Sequence, residues 1–250
     1  MTDKERSNQK DYELIDSISV AAFDVDARIF RTLWHSVIRA PDVALAAIKG
    51  DYTRYISPVR VLIALFGIQL GLAALFGSPM TPTIESLAPQ VTPDRFAAWL
   101  NGHDPAAIDR ALEDGVALML WPMTILSSLP FLLLLKLYRP SLKFWTHLCV
   151  FLVPTNASTM VFILLLPALM LSDSVLFIAM TAMLAVYFGL TGKLISRFYS
   201  RSALGTALRI GGLILVLPFT FIISGACQIL AVSWILDSQF GLSLLGLFQL

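Results

Sequence analysis

Three histidines, two cysteines and a scatter of small hydroxyls are the residues here whose side chains could carry chemistry. His35, His103 and His147 are far apart in the sequence, and none belongs to an HExxH, a GxSxG or a Cys/His set with metal-ligand spacing. A lone histidine near an apolar run reads as a polar anchor more readily than as a ligand. No catalytic residue, no metal and no cofactor is therefore expected. Cys149 and Cys227 sit inside separate apolar runs and read as small buried hydrophobes rather than a disulfide.

Two groups of residues remain with potential for binding. The first is cationic and aromatic: Arg28, Arg31, Trp34 and Arg39, then Arg54, Tyr55 and Arg60. In ARIFRTLWHSVIRA the residues Ile29, Phe30, Leu33, Trp34, Val37 and Ile38 recur at helical spacing, with Arg28, Arg31, His35 and Arg39 opposite them. That pattern suits a helix lying in a membrane interface, and equally a helix docked on the protein's own loops. Tyr52 and Tyr55 are expected at headgroup depth, with Arg54 and Arg60 reaching phosphate or water. The second group is a layer of prolines and small polar residues. Ser127 and Ser128 precede Pro130, Thr155 and Asn156 follow Pro154, and Thr220 follows Pro218. Each proline frees a carbonyl one turn earlier, and in lipid that carbonyl needs a partner. The hydroxyls and Asn156 either satisfy those carbonyls or line a polar pocket open to the cytoplasm.

The elements that must position these groups are membrane spans. Hydrophobic residues make up 57% of the chain, charged residues 14%, and mean hydropathy is +0.76. Soluble domains carry about 25% charged residues. The fold class is all-α: a polytopic transmembrane bundle of five spans, at 58–77, 115–137, 144–171, 175–192 and 210–236. A polar tail over 1–16 is expected to be disordered. Amphipathic helices and a hinge fill 17–57, with Asp24 or Asp26 capping the first helix, Pro41 opening the second and Gly50 closing it. The outer loop 78–114 carries helix starts at Thr92–Pro93 and Asp104–Pro105, and Gly102 ends the first of these. The apolar tail 237–250 is too short to cross. No secretory leader is evident, so the first span is expected to serve as an uncleaved insertion signal.

Charge sets the direction. Sixteen of the eighteen lysines and arginines fall before the first span or in its first turn, or in or just beside the second and fourth loops. The amino terminus is then cytoplasmic and the carboxy terminus outside. No acidic or basic residue falls mid-span, which argues against a proton-driven pump. A net charge of +1 gives no reason to expect nucleic acid. Small residues at Ala64, Gly67 and Gly71, and from Ala182 to Gly192, allow close helix approach within the chain or in a homo-oligomer.

Three stretches carry a resemblance. RTLWHSVIRAPDVALAAIKGDYTRYISPVRVL, FWTHLCVFLVPTNAS and AVYFGLTGKLISRFYSRSALGTALRI resemble signatures of the domain-of-unknown-function family 3667, a set of bacterial polytopic inner-membrane proteins. The layout is loosely similar to that of five-span Yip-type proteins. The resemblance implies a bacterial cytoplasmic membrane and no activity. This chain has no cysteine before Cys149, so the CxxC knuckle of many members is not carried over, and Pro154 and Thr155 stand where a second histidine is often found. The expected function is that of a non-enzymatic membrane protein binding membrane lipids or a protein partner through its basic cytoplasmic face. The alternative is a small permease or channel using the polar layer.

Overall fold

The computed structural model describes residues 28–76, 83–84, 91–169 and 173–249. The tail 1–16, the Asp24/Asp26 cap and much of the loop 78–90 lie outside them. Regular structure among the described residues is entirely helical. Helix α1 covers residues 28–38 and stops where Pro41 has no N–H for the Val37 carbonyl. Helix α2 (Ala40–Lys49) has Pro41 in its first turn and ends at Gly50, whose φ of 72° is the left-handed conformation glycine adopts at little cost. The Asp51 N–H closes that cap on the Ala46 carbonyl at 2.9 Å. Then follow α3 (Pro58–Phe76), α4 (Pro93–Leu100), α5 (Pro105–Tyr138), α6 (Phe144–Leu169), α7 (Asp173–Phe198) and α8 (Ala203–Ile235). A π-helical turn (Leu236–Phe240) leads into the short α9 (Leu244–Gln249).

Among the described residues, three helical stretches are long and apolar enough to cross a membrane: Phe144–Leu165, Phe177–Phe198 and Ala203–Phe240. Pro58–Leu72 and Pro122–Tyr138 are apolar but shorter. By length and composition alone, three of the five anticipated spans are met among the described residues, and the other two correspond to the shorter apolar helices. The fourth anticipated span ended at 192, yet α7 runs on to Phe198 because Leu194 and Ile195 still have a core to enter.

The chain divides into two compact units. One comprises residues 28–67 and 140–210 as described. Here α6 and α7 form the most extensive helix pair and run antiparallel, His147 lying beside Tyr199 and Phe151 beside Tyr187. The small face of α2, made by Ala40, Val43, Ala44 and Ala47, is buried, and α2 packs on α6 and α7. The start of α3 runs parallel to α6: Asn156 bonds the Pro58 carbonyl, and Met160 and Ile163 pack with Val61 and Leu65.

The other unit comprises residues 68–139 and 211–250. Its core joins Ile84, Trp99, Ile108, Leu112, Ile235 and Leu247, among others, so α4, the start of α5 and the carboxy-terminal tail share one cluster. The Trp99 indole N–H donates to the Ser243 carbonyl at 2.8 Å, and the Ile84 N–H donates to the Asp109 carboxylate at 2.7 Å. Helices α5 and α8 lie antiparallel and in register, with Gly115 against Ile235 at one end and Gly212 against Tyr138 at the other. Asp104 caps α5 by accepting from the Ala106 N–H at 3.1 Å. Asn101, at φ 48°, closes α4 one residue before Gly102.

Gly67 and Gly71, read as a helix-approach motif, face no described atom within 4 Å. A Gly67→Ala change is therefore expected to stabilise the isolated chain by up to about 1 kcal/mol, from helix propensity alone. Unfolding in dilute detergent micelles measures it. A loss of stability there would mean that another surface closes on this glycine.

Candidate functional site

The basic–aromatic group gathers in the first unit, where α1 is held by one edge. Leu33 is 5% exposed and packs with Val61 and Leu65 of α3. Thr32 and Ser36, also buried, flank it. The Thr32 hydroxyl donates to the Arg28 carbonyl at 2.7 Å and accepts the Ile56 N–H at 3.0 Å, tying α1 to the hinge. Neither hydroxyl stands out in the sequence as a site residue. Their signal is two small hydroxyl residues one turn apart, flanking Leu33 within a helix otherwise divided between apolar and cationic arcs.

The anticipated apolar face is consequently split. Ile29, Leu33 and Val37 turn toward protein, whereas Phe30, Trp34 and Ile38 are 71%, 60% and 48% exposed. Arg31, Arg39, Arg54 and Arg60 are exposed, and Arg28 is half-buried. One arc of this helix is therefore docked on protein, and the other is exposed. Helix α2, by contrast, is docked on protein. The Trp145 indole N–H donates to its Ala47 carbonyl at 3.0 Å.

Tyr55 is corrected from a surface contact to a buried hinge pin. It is 4% exposed because its hydroxyl shares a 2.7 Å hydrogen bond with His35 Nδ1, which draws the ring beneath α1. The Arg54 guanidinium lies 5.4 Å from the centroid of that ring. Tyr52 stays partly exposed. Asp51 stabilises the turn, accepting from the Thr53 hydroxyl at 2.6 Å and from the Thr53 N–H, and the first of these bonds most lowers its carboxyl pKa.

Loss of solvation, and then the nearby Arg39, Arg54 and Arg31, hold the His35 imidazole below its ordinary 6.5. The unfolded chain then binds the proton more readily than the folded one. Stability from this contact is complete above pH 6.5 and is lost as pH falls through the folded-state value. Hydrogen exchange at the Ile56 amide, corrected for its intrinsic rate, is expected to lose protection on acidification. A His35→Phe variant should show no such slope.

The polar layer divides between the units: Pro154, Thr155 and Asn156 in one, Ser127, Ser128 and Thr220 in the other. Its hydroxyls do not serve the carbonyls that the prolines free, at Leu126, Val150 and Ile214. Ser127 donates to Thr124, Ser128 to Ile125, Thr155 to Phe151 and Thr220 to Val216. A short hydroxyl side chain reaches only the carbonyl three or four residues before it, whatever the proline needs. Asn156 does act between helices. Its amide donates to the Pro58 carbonyl at 2.8 Å, while its own Oδ1 is buried with no hydrogen-bond partner among the described residues.

His147 is buried and shares a 2.6 Å hydrogen bond with Tyr199, so both belong to the packing of α6 on α7. His103 lies edge-on to Phe240. Both cysteine thiols are free. Among the described residues no three His, Cys, Asp or Glu side chains gather where a metal could bind. No family model matches the chain, and neither a curated protein nor a solved structure is similar to it.

Proposed function

We propose that this is a five-span, non-enzymatic protein of a bacterial cytoplasmic membrane whose basic inner face binds lipid or a partner protein. Three helices meet the length and hydropathy of a span, and two features favour adding α3 and α5. Residues 115–138 of α5 run in register beside 212–235 of α8, about 35 Å at 1.5 Å per residue, matching the hydrocarbon thickness. The bond from Trp99 to Ser243 requires both ends to lie on one side, hence an even number of crossings between them. With α6, α7 and α8 counted, α5 makes that number even. The bond from Trp145 to Ala47 asks the same of the stretch between them, and α3 with α5 satisfies it. The cytoplasmic assignment of the amino terminus rests on the asymmetry of lysine and arginine. The family resemblance supplies the bacterial setting.

The observation that carries the functional reading is the set of exposed arginines, Arg31, Arg39, Arg54 and Arg60, beside exposed Phe30 and Trp34. The permease alternative is weaker, since the layer's hydroxyls are taken up by their own helices and Asn156 by the start of α3. The test is to purify the chain and a variant with all four arginines changed to glutamine in mild detergent. Retained phospholipid classes and proteins are then compared by mass spectrometry. The four-fold variant is expected to lose an anionic lipid or a discrete protein that the wild type retains. Identical profiles would contradict the reading.

A further inference from the structure

We infer that α1 lies in the cytoplasmic leaflet and binds anionic phospholipid, with Phe30, Trp34 and Ile38 among the acyl chains and Arg31 and Arg39 at phosphate depth. This rests on the topology proposed above and goes further, naming lipid rather than protein as the occupant of the exposed arc. Depth is the first argument. Leu33 packs against Val61 and Leu65, one and two turns into the apolar run that begins at Pro58. Trp34, the next residue, stands at the same height and points away from the protein. If α3 enters the bilayer at Pro58, the ridge is at the level where headgroups give way to acyl chains.

Geometry is the second argument. At about 100° per residue, Phe30, Trp34 and Ile38 fill one narrow arc along successive turns, and Arg31 and Arg39 follow on its polar side. Their guanidinium groups can reach outward while the stems lie along apolar surface. Charge is the third. Residues 28–41 contain no acid, and Arg60 in the first turn of α3 and Arg54 in the hinge are exposed as well. Four cations around an apolar ridge complement a layer of lipid phosphates. The Thr32 and Leu33 contacts tether one edge of the helix near this height, and anionic headgroups pairing with Arg31 and Arg39 are what keep its exposed arc in the leaflet.

The test uses the full chain in nanodiscs, either of phosphatidylcholine alone or with phosphatidylglycerol added. An environment-sensitive fluorophore is placed at Trp34→Cys in a Cys227→Ala background, Cys149 being buried. The same label at Phe30→Cys repeats the measurement at a second site. Labels at Thr53→Cys and Leu215→Cys report the exposed hinge and the exposed face of α8. Lipid-borne quenchers are expected to remove about half the Trp34-site emission in the anionic discs, much less in zwitterionic ones, and little at the Thr53 site. Neutralising Arg31 and Arg39 to glutamine should cut the anionic preference by about fivefold per charge. Quenching at the Leu215 site with none at the Trp34 and Phe30 sites would overturn this inference and leave the spans standing. No quenching at the Leu215 site would instead overturn the membrane reading beneath it. Equal quenching in both lipids would overturn the anionic preference, and with it the inference as stated.

Discussion

Truncating Trp99 to alanine is expected to destabilise the protein by about 3–5 kcal/mol, the range for removing a large buried aromatic side chain. Trp99 is 5% exposed and packs in a cluster with Ile84, Ile108, Leu112, Leu242 and Leu247. Its loss leaves a void bordered by three separate segments, none of which can collapse alone. It also strips the Ser243 carbonyl of its indole donor. A Trp99→Phe variant keeps most of the ring and loses the hydrogen bond, for an expected cost of about 1 kcal/mol. Denaturant unfolding in detergent micelles, read by hydrogen exchange in α4 and α9, separates the two. Equal and small effects would mean that the tail does not pack on the loop helices.

The second large effect is at the other unit's hub. Leu33→Asp places a carboxylate where Val61, Leu65, Met160 and Ile163 leave it no partner. An unpaired buried charge costs several kcal/mol, so α1 is expected to leave its seat rather than bury it. The Ile56 amide then loses its Thr32 acceptor and about 3–5 kcal/mol of exchange protection, capped by the docking energy of α1 itself. Exchange in the Trp99 cluster should not change. Protection at Ile56 equal to that of the wild type would show that Leu33 does not hold the helix.

Local chemistry made part of this fold readable in advance. Pro41 and Gly50 bracket α2, Thr92–Pro93 opens α4, and Asp104–Pro105 starts the helix that continues into the apolar stretch. Each signal acts within a turn of its own position, so no tertiary knowledge was needed. The site was less readable. Helical periodicity placed Leu33 and Trp34 on one apolar face, but the docking partner takes Leu33 and leaves Trp34 outside. That choice is made by Thr32 bonding Ile56 and by residues far along the chain. Tyr55 looked like an interfacial anchor because its type suits one, and the His35 contact that buries it spans twenty residues. The bond from Trp99 to Ser243, 144 residues apart, has no sequence signature at all.

The central claim is that the membrane is crossed five times, with α3 and α5 among the crossings. A reporter enzyme that is active only outside the cytoplasm, fused after Gly102 and again after Lys143, tests this most directly, because the first point lies outside only if α3 crosses and the second returns inside only if α5 crosses back. The account predicts activity after Gly102 and after Leu250, and silence after Lys143. Silence after Gly102 with activity after Leu250 would leave three crossings and contradict it.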